Sequence, residues 1–272
     1  MTTKTISHNN RIISYNIAGT GNPVFLLHGF GEDSTVWQQQ VDVLQKHYQI
    51  IFPDVPGSGA SELTDDVSME GIANVIKEIA DAEELDQFVL IGHSMGGYTT
   101  LAFAEKFESM LKGFGLVHSS AFADTEEKKE TRQKGIEFIK QHGAAEFLKT
   151  STPNLFSDHT KETRPELLQN FLQQLPEFSK QALIAYYEAM MERPDRSAVL
   201  SGTKLPVLFI IGEHDKAVPF EDSLKQSSFP SISYVTILNK SGHMGMLEET
   251  EKCNAAILNY LAEVYKSESF TV

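Results

Sequence analysis

Cysteine is almost missing. Cys253 is the single one in 272 residues, so no internal disulfide can form and a disulfide-stapled scaffold is excluded. No His-Glu-x-x-His and no cysteine set is present, which removes the common zinc patterns. No Gly-rich loop ends in Gly-Lys-Ser/Thr, and no Gly-x-Gly-x-x-Gly follows an apolar run, which removes the nucleotide cradles. Positive charge is scarce too: 23 Lys and Arg against 37 Asp and Glu leave a formal charge of −14, with a pI near 5.1. Nucleic acid and anionic membrane surfaces call for basic patches, so neither fits as a partner. No stretch approaches the roughly 18 apolar residues of a membrane span, and "MTTKTISHNNRIISYNIAG" lacks the apolar run of a signal peptide. No repeat or low-complexity segment interrupts the chain. These absences leave a soluble, cytoplasmic protein that works on a small molecule without metal or cofactor.

Short apolar runs supply the frame. "VFLL" (24–27), "FVLI" (88–91) and "VLFII" (207–211) are continuous and bounded by turn signals, the pattern of parallel strands buried on both faces. "YQIIFPD" (48–54), "GFGLV" (113–117) and "SYVTIL" (233–238) extend the set, and the alternating "RIISYNI" (11–17) fits an antiparallel edge. Between them, Ile72, Val75, Ile76 and Ile79 keep helical spacing, as do Cys253, Ala256, Ile257, Tyr260, Leu261 and Val264. Alternating strands and helices predict an α/β fold with a doubly wound, mostly parallel sheet, whose ligands bind beyond the C-terminal strand ends. From 121 to 200 the alternation stops and helix formers take over. That segment is expected to be a helical cap inserted in a core made of 1–120 and 201–272. Its Phe138, Phe147, Phe156, Phe171, Phe178, Met190 and Met191 are candidates to line an apolar acyl site, though most of them are expected simply to pack the helices together.

"VLIGHSMGG" (89–97) sets Ser94 among three glycines after a strand and before a helix. Gly-x-Ser-x-Gly in that context is a nucleophile elbow, which lifts a hydroxyl clear of the sheet. A serine needs an adjacent base and a group to orient that base, and in such folds the partners follow in the order Ser, acid, His. "GEHDKAVP" puts Asp215 just past a buried strand, and "SGHMGMLE" puts His243 in a Gly-bounded loop before the last helix. Glu213 and Asp124 remain alternative acids. His28 and Asp54 are expected to brace loops, and His93 to pack. His118 ends a strand as a structural histidine or at the pocket edge. His214 belongs on the surface, Cys253 in the core, and the run 126–134 on a solvated helix face.

Five motifs in this order, "LLHGFGEDSTVW", "DVPGSGAS", "GHSMGG", "GEHDKAVP" and "SGHMGMLE", resemble the α/β-hydrolase family along essentially the whole chain. Ser58 stands where many members have histidine. The resemblance implies Ser94 as nucleophile, His243 as general base and Asp215 as the acid that holds the imidazole. It implies an oxyanion hole from the backbone N–H groups of Phe30 and Met95. Ser94 disfavours the branches with an aspartate nucleophile, Met95 the iminopeptidases with tryptophan there, and His93 the carbon–carbon hydrolases with asparagine there. A serine hydrolase of small carboxylic esters, lactones or thioesters remains, with carboxylesterase foremost. A small-molecule receptor or a lyase using the same pocket is the alternative. The acyl group and the oligomeric state stay open.

Overall fold

The computed structural model describes residues 1–266 of the chain. Its strands are β1 (Thr2–His8), β2 (Arg11–Ala18), β3 (Pro23–Leu27), β4 (Gln49–Pro53), β5 (Phe88–His93), β6 (Leu111–Val117), β7 (Val207–Gly212) and β8 (Ser233–Leu238). They form one sheet in the order β1-β2-β4-β3-β5-β6-β7-β8. The pairs β1–β2 and β2–β4 are antiparallel and the others parallel.

The continuous apolar runs are explained by two cores, one on each sheet face. Phe25, Leu27, Leu90 and Phe209 point to a core shared with α2 (Met69–Ala82) and α3 (Met95–Phe107). Their neighbours Val24, Leu26, Val89 and Leu208 point to the other core, shared with α1 (Gln38–Leu44) and α12 (Thr250–Lys266). Side chains alternate along a strand, so a strand covered on both sides must be apolar at every position. Ser68 caps α2 by accepting from the Gly71 N–H at 3.0 Å, and the spaced Ile72, Val75, Ile76 and Ile79 are all buried.

The edge differs from expectation. Arg11–Ala18 is the second strand, and Thr2–His8 is the edge. Six of the seven residues of β1 are exposed or half-buried, so it carries no apolar alternation to read. The legible signal is Asn9-Asn10, both at positive φ (50° and 63°), a short turn that suits a hairpin.

Between β6 and β7 lie helices only: α4 (Glu126–His142), α5 (Ala144–Ser151), α6 (Asp158–Thr163), α7 (Pro165–Gln173), α8 (Lys180–Glu192) and α9 (Ser197–Gly202). Thr125 and Ser179 cap α4 and α8 through the N–H groups of Lys128 and Ala182. The layer is tied to the rest of the fold by side chains. The Tyr186 hydroxyl donates to the Pro56 carbonyl, and Thr160 donates to Glu248 at 2.7 Å. The remaining helices, α10 (Phe220–Ser227) and α11 (Gly245–Glu248), follow β7 and β8.

Candidate active site

Ser94 sits between β5 and α3 with φ 51° and ψ −115°, a left-handed conformation that costs an ordinary residue about 1–3 kcal/mol. The flanking glycines let it exist. A Cβ on Gly92 would lie 2.2 Å from the Gly96 carbonyl, and one on Gly96 would lie 2.5 Å from the Leu27 oxygen. The Ser94 N–H donates to the Val117 carbonyl at 2.9 Å, which pins the turn to β6. The serine opens onto a cavity of about 140 Å³ whose walls include Phe30, Tyr98, Arg132, Tyr187 and His243.

His243, in the loop after β8, meets Asp215, in the loop after β7, at 2.8 Å between Nδ1 and Oδ2. The carboxylate accepts on both oxygens. Ala217 and Val218 donate to Oδ1 at 2.8 and 2.9 Å, and His118 also approaches Oδ2 at 3.2 Å. Burial works to raise the Asp215 pKa, but the His243 charge and both histidine hydrogen bonds outweigh it and hold the carboxyl well below its usual range. Three potential ligand atoms on His118, Asp215 and His243 lie within 4.8 Å of one another. Both histidines already turn Nδ1 towards Asp215, and the second nitrogen of His118 accepts the Gly245 N–H at 3.2 Å. A cation there would have to displace those bonds.

Of the two residues expected to offer backbone donors, Phe30 lines the cavity and Met95 directly follows Ser94. Met95 opens α3, where the first N–H groups have no acceptor within the helix. Phe30 follows β3, and its ring stacks on Tyr187 at 4.3 Å. Glu32 holds that loop by accepting the Gly29 N–H at 2.6 Å. His28 and Asp54 brace loops as expected: His28 accepts the Val55 N–H at 3.0 Å, and Asp54 accepts from Ser34 and Ala60.

Asp124, the alternative acid, is spoken for. Its carboxylate binds Arg132 at 2.5 Å and Arg193 at 2.8 Å. Glu213 and His214 are exposed, and Cys253 is buried.

Two expectations need correction. His93 is more than packing, because its ring bonds Glu32 and the His243 carbonyl, each at 2.9 Å. The segment 126–134 is not wholly solvated, because Arg132 turns inward to the Ser94 cavity with its side chain only 14% exposed. It shares a helical stripe with the buried Ile136 and Ile139, a spacing the run of charges around it conceals. Among the cap candidates Met190 lines the cavity, while Phe147 packs its edge on Phe30 and Tyr187, and Phe156 and Phe171 pack on each other, as expected of most of them.

A family model of the α/β hydrolase fold matches residues 22–250. The chain belongs to the α/β-hydrolase fold family. A thermophilic esterase from Thermogutta terrifontis superposes with a TM-score of 0.90 at 28% identity, covering 97% of this chain and 99% of that one. Among curated proteins, the 2-hydroxy-6-oxo-6-phenylhexa-2,4-dienoate hydrolase of Comamonas testosteroni is 27% identical, over 93% of this chain and 92% of its own. The 2-hydroxy-6-oxononadienedioate/2-hydroxy-6-oxononatrienedioate hydrolase of Escherichia coli K12 is 29% identical over 92% and 91%. The chain is thus a hydrolase of this family, and His93 in place of asparagine does not separate it from the two curated relatives in overall sequence. No helix among the described residues is long and apolar enough to cross a membrane.

The ionised network of this α/β-hydrolase predicts how its stability follows pH. Glu32, Asp124 and Asp215 are held below the usual carboxylate range against the opposing effect of burial. Their contribution is complete above the unfolded values, about 4 to 4.5, and is lost as pH falls through the folded ones. His118 is depressed by burial and adds a loss of the same sign from about 6.5 downward. His93 is raised by Glu32 against burial, so its contribution is lost as pH rises through its folded value. Tm should peak near neutrality with the steeper fall on the acid side. A Tm that rose steadily from about pH 7 to about pH 4 would contradict the network.

Proposed function

We propose that the protein hydrolyses small carboxylic esters, with lactones and thioesters as neighbouring substrates, through an acyl-enzyme on Ser94. The observation that carries this reading is the strained turn that opens Ser94 onto the cavity shared with His243, whose Nδ1 is bonded to Asp215. His243 Nε2 takes the Ser94 proton as Oγ attacks the acyl carbon, and Asp215 keeps the ring in the matching tautomer and stabilises the imidazolium. The N–H groups of Phe30 and Met95 receive the oxyanion, and such preorganised donors are worth about 3–4 kcal/mol each. Collapse of the tetrahedral species passes the proton from His243 to the leaving alcohol. Water, deprotonated by the same ring, then attacks the acyl carbon and releases the acid and free Ser94.

The cavity limits the acyl group. About 140 Å³ is only a few times the roughly 30 Å³ a liquid water occupies, which suits acyl chains of a few carbons. An adjoining groove of about 580 Å³ shares Arg132, Tyr187 and Ala217 with the cavity and suits the other half of the ester. A second reading, hydrolysis of a carbon–carbon bond in an anionic oxo acid, is favoured by the two curated relatives and by Arg132 in the cavity wall.

The deciding experiment is a panel of acyl esters of increasing length, a thioester, a lactone and an aryl dienoate oxo acid, with a chelator present. Short esters should be hydrolysed and long ones refused, and Met190→Ala should move the optimum to longer chains. Turnover of the oxo acid alone would select the second reading. Activity lost to the chelator and restored by a divalent ion would overturn the scheme.

A further inference from the structure

Three buried histidines meet behind Ser94: His93 and His118 are each 1% exposed and His243 is 3% exposed, with ring centroids 4.9 to 6.0 Å apart. The hydrolytic scheme uses only His243. The partners of the other two fix where their hydrogens are. His93 Nδ1 faces a Glu32 oxygen and Nε2 faces the His243 carbonyl. A carbonyl only accepts, and Glu32, kept a carboxylate against burial by the His93 charge and the Gly29 N–H, has no hydrogen to give, so both ring nitrogens carry hydrogen. His118 differs. Its Nε2 accepts the Gly245 N–H, so that nitrogen is bare, and Nδ1 donates to Asp215.

We propose that His93 and His118 are positioning residues, His93 a fixed imidazolium between Glu32 and the His243 carbonyl, His118 a fixed neutral ring between Asp215 and the Gly245 N–H. The role, unlike the hydrogen pattern, rests on reading His243 as the general base. Together they grip the base loop at two points: the backbone of His243 itself and that of Gly245. The Glu32–His93 pair also joins this loop to the segment that carries Phe30, so the oxyanion donor and the base keep one separation.

The charged and titratable groups that face His93 come from four elements: Glu32 after β3, His118 at the end of β6, Asp215 after β7 and His243 after β8. Burial alone would strip His93 of its extra proton, and the Glu32 charge and hydrogen bond prevail over it. For His118 burial prevails, helped by the two neighbouring histidines. Like charge on all three rings is thereby avoided.

Long-range proton–nitrogen NMR on histidine-labelled protein reads each ring nitrogen directly. Near pH 7, just above the ordinary histidine value of about 6.5, His93 should show two N–H groups and His118 one bare nitrogen. Glu32→Gln should return His93 to one N–H and lower kcat roughly 10- to 100-fold with KM little changed. Glu32→Asp keeps the charge, so it should retain the doubly protonated ring and recover most of kcat, which a purely structural role would not tie to the charge. A bare nitrogen on His93 in the wild type, or two hydrogens on His118, overturns the proposal, and that spectrum needs no variant to fold. Folded Glu32→Gln with wild-type kcat also overturns the positioning role. Ser94→Ala that remained active would instead sink the hydrolytic reading and leave the hydrogen pattern standing.

Discussion

Ser94→Ala should abolish ester hydrolysis, by roughly 10⁵-fold or more, since without the hydroxyl no acyl-enzyme forms and only binding and the oxyanion donors remain. A serine-directed phosphonate should label the wild type once, at Ser94, and Ser94→Ala not at all. Ser94→Gly extends the test to stability. The side chain makes no capping bond to α3 and occupies φ 51°, where glycine is at ease. Relief of about 1–3 kcal/mol of strain, less the roughly 0.4–1 kcal/mol that glycine adds to unfolded-state freedom, leaves that inactive variant more stable. Denaturant unfolding measures the gain. An adduct on Ser58, Ser119 or Ser120, or a Ser94→Gly chain weaker than wild type, would contradict the reading of the elbow.

Asp215→Asn should leave the chain folded and lower kcat by roughly 10³- to 10⁴-fold. Four donors converge on the carboxylate: two backbone N–H groups on Oδ1 and two imidazoles on Oδ2. An amide has one accepting oxygen. If it keeps the backbone pair, its NH₂ confronts two ring N–H groups, and His243 is driven to the tautomer that cannot take the serine proton. If it keeps the rings, the backbone pair loses its acceptor and the loop shifts. Asp124→Asn is the contrasting variant. It weakens a buried link to Arg132 and Arg193, where breaking such a pair costs about 3–5 kcal/mol, so its main effect should be a lower unfolding midpoint. Phosphonate labelling rates and chemical denaturation on both variants separate the two roles, and the reverse pattern would transfer the acid to Asp124.

How far the sequence reveals this molecule depends on which residues advertise their surroundings. Strands β3, β5 and β7 are legible because burial on both faces forbids polar residues. β1 is not, since its mostly exposed side chains carry no apolar pattern. Ser94, Asp215 and His243 stand out because each lies in a turn-rich loop at the end of an apolar run, and the geometry brings Asp215 and His243 together. Glu32 stays hidden because its charge is buried against His93, far along the chain, and Arg132 because its partner Asp124 lies before the start of α4, off the helix's own i+3 and i+4 spacing. Charged residues are seldom buried unless paired, and local patterns cannot show a distant partner. Tyr187 is hidden for a related reason, since its place over Phe30 depends on how α8 crosses the loop after β3.

The helices that roof the site leave the sheet at Val117 and return at Val207, yet Phe114–Val117 and Val207–Ile210 are paired neighbours. The whole insertion therefore closes a loop whose ends are already fixed side by side. Closure entropy grows only with the logarithm of length, about 0.6 kcal/mol for each doubling. Helices can be added to this loop, removed or exchanged with little effect on the β6–β7 pairing at its ends, or on the β7–β8 pairing that sets Asp215 near His243. The roof, and with it the shape offered to a substrate, is thus free to diverge in descent faster than the sheet beneath, so that close relatives can share one chemistry and differ in what they accept.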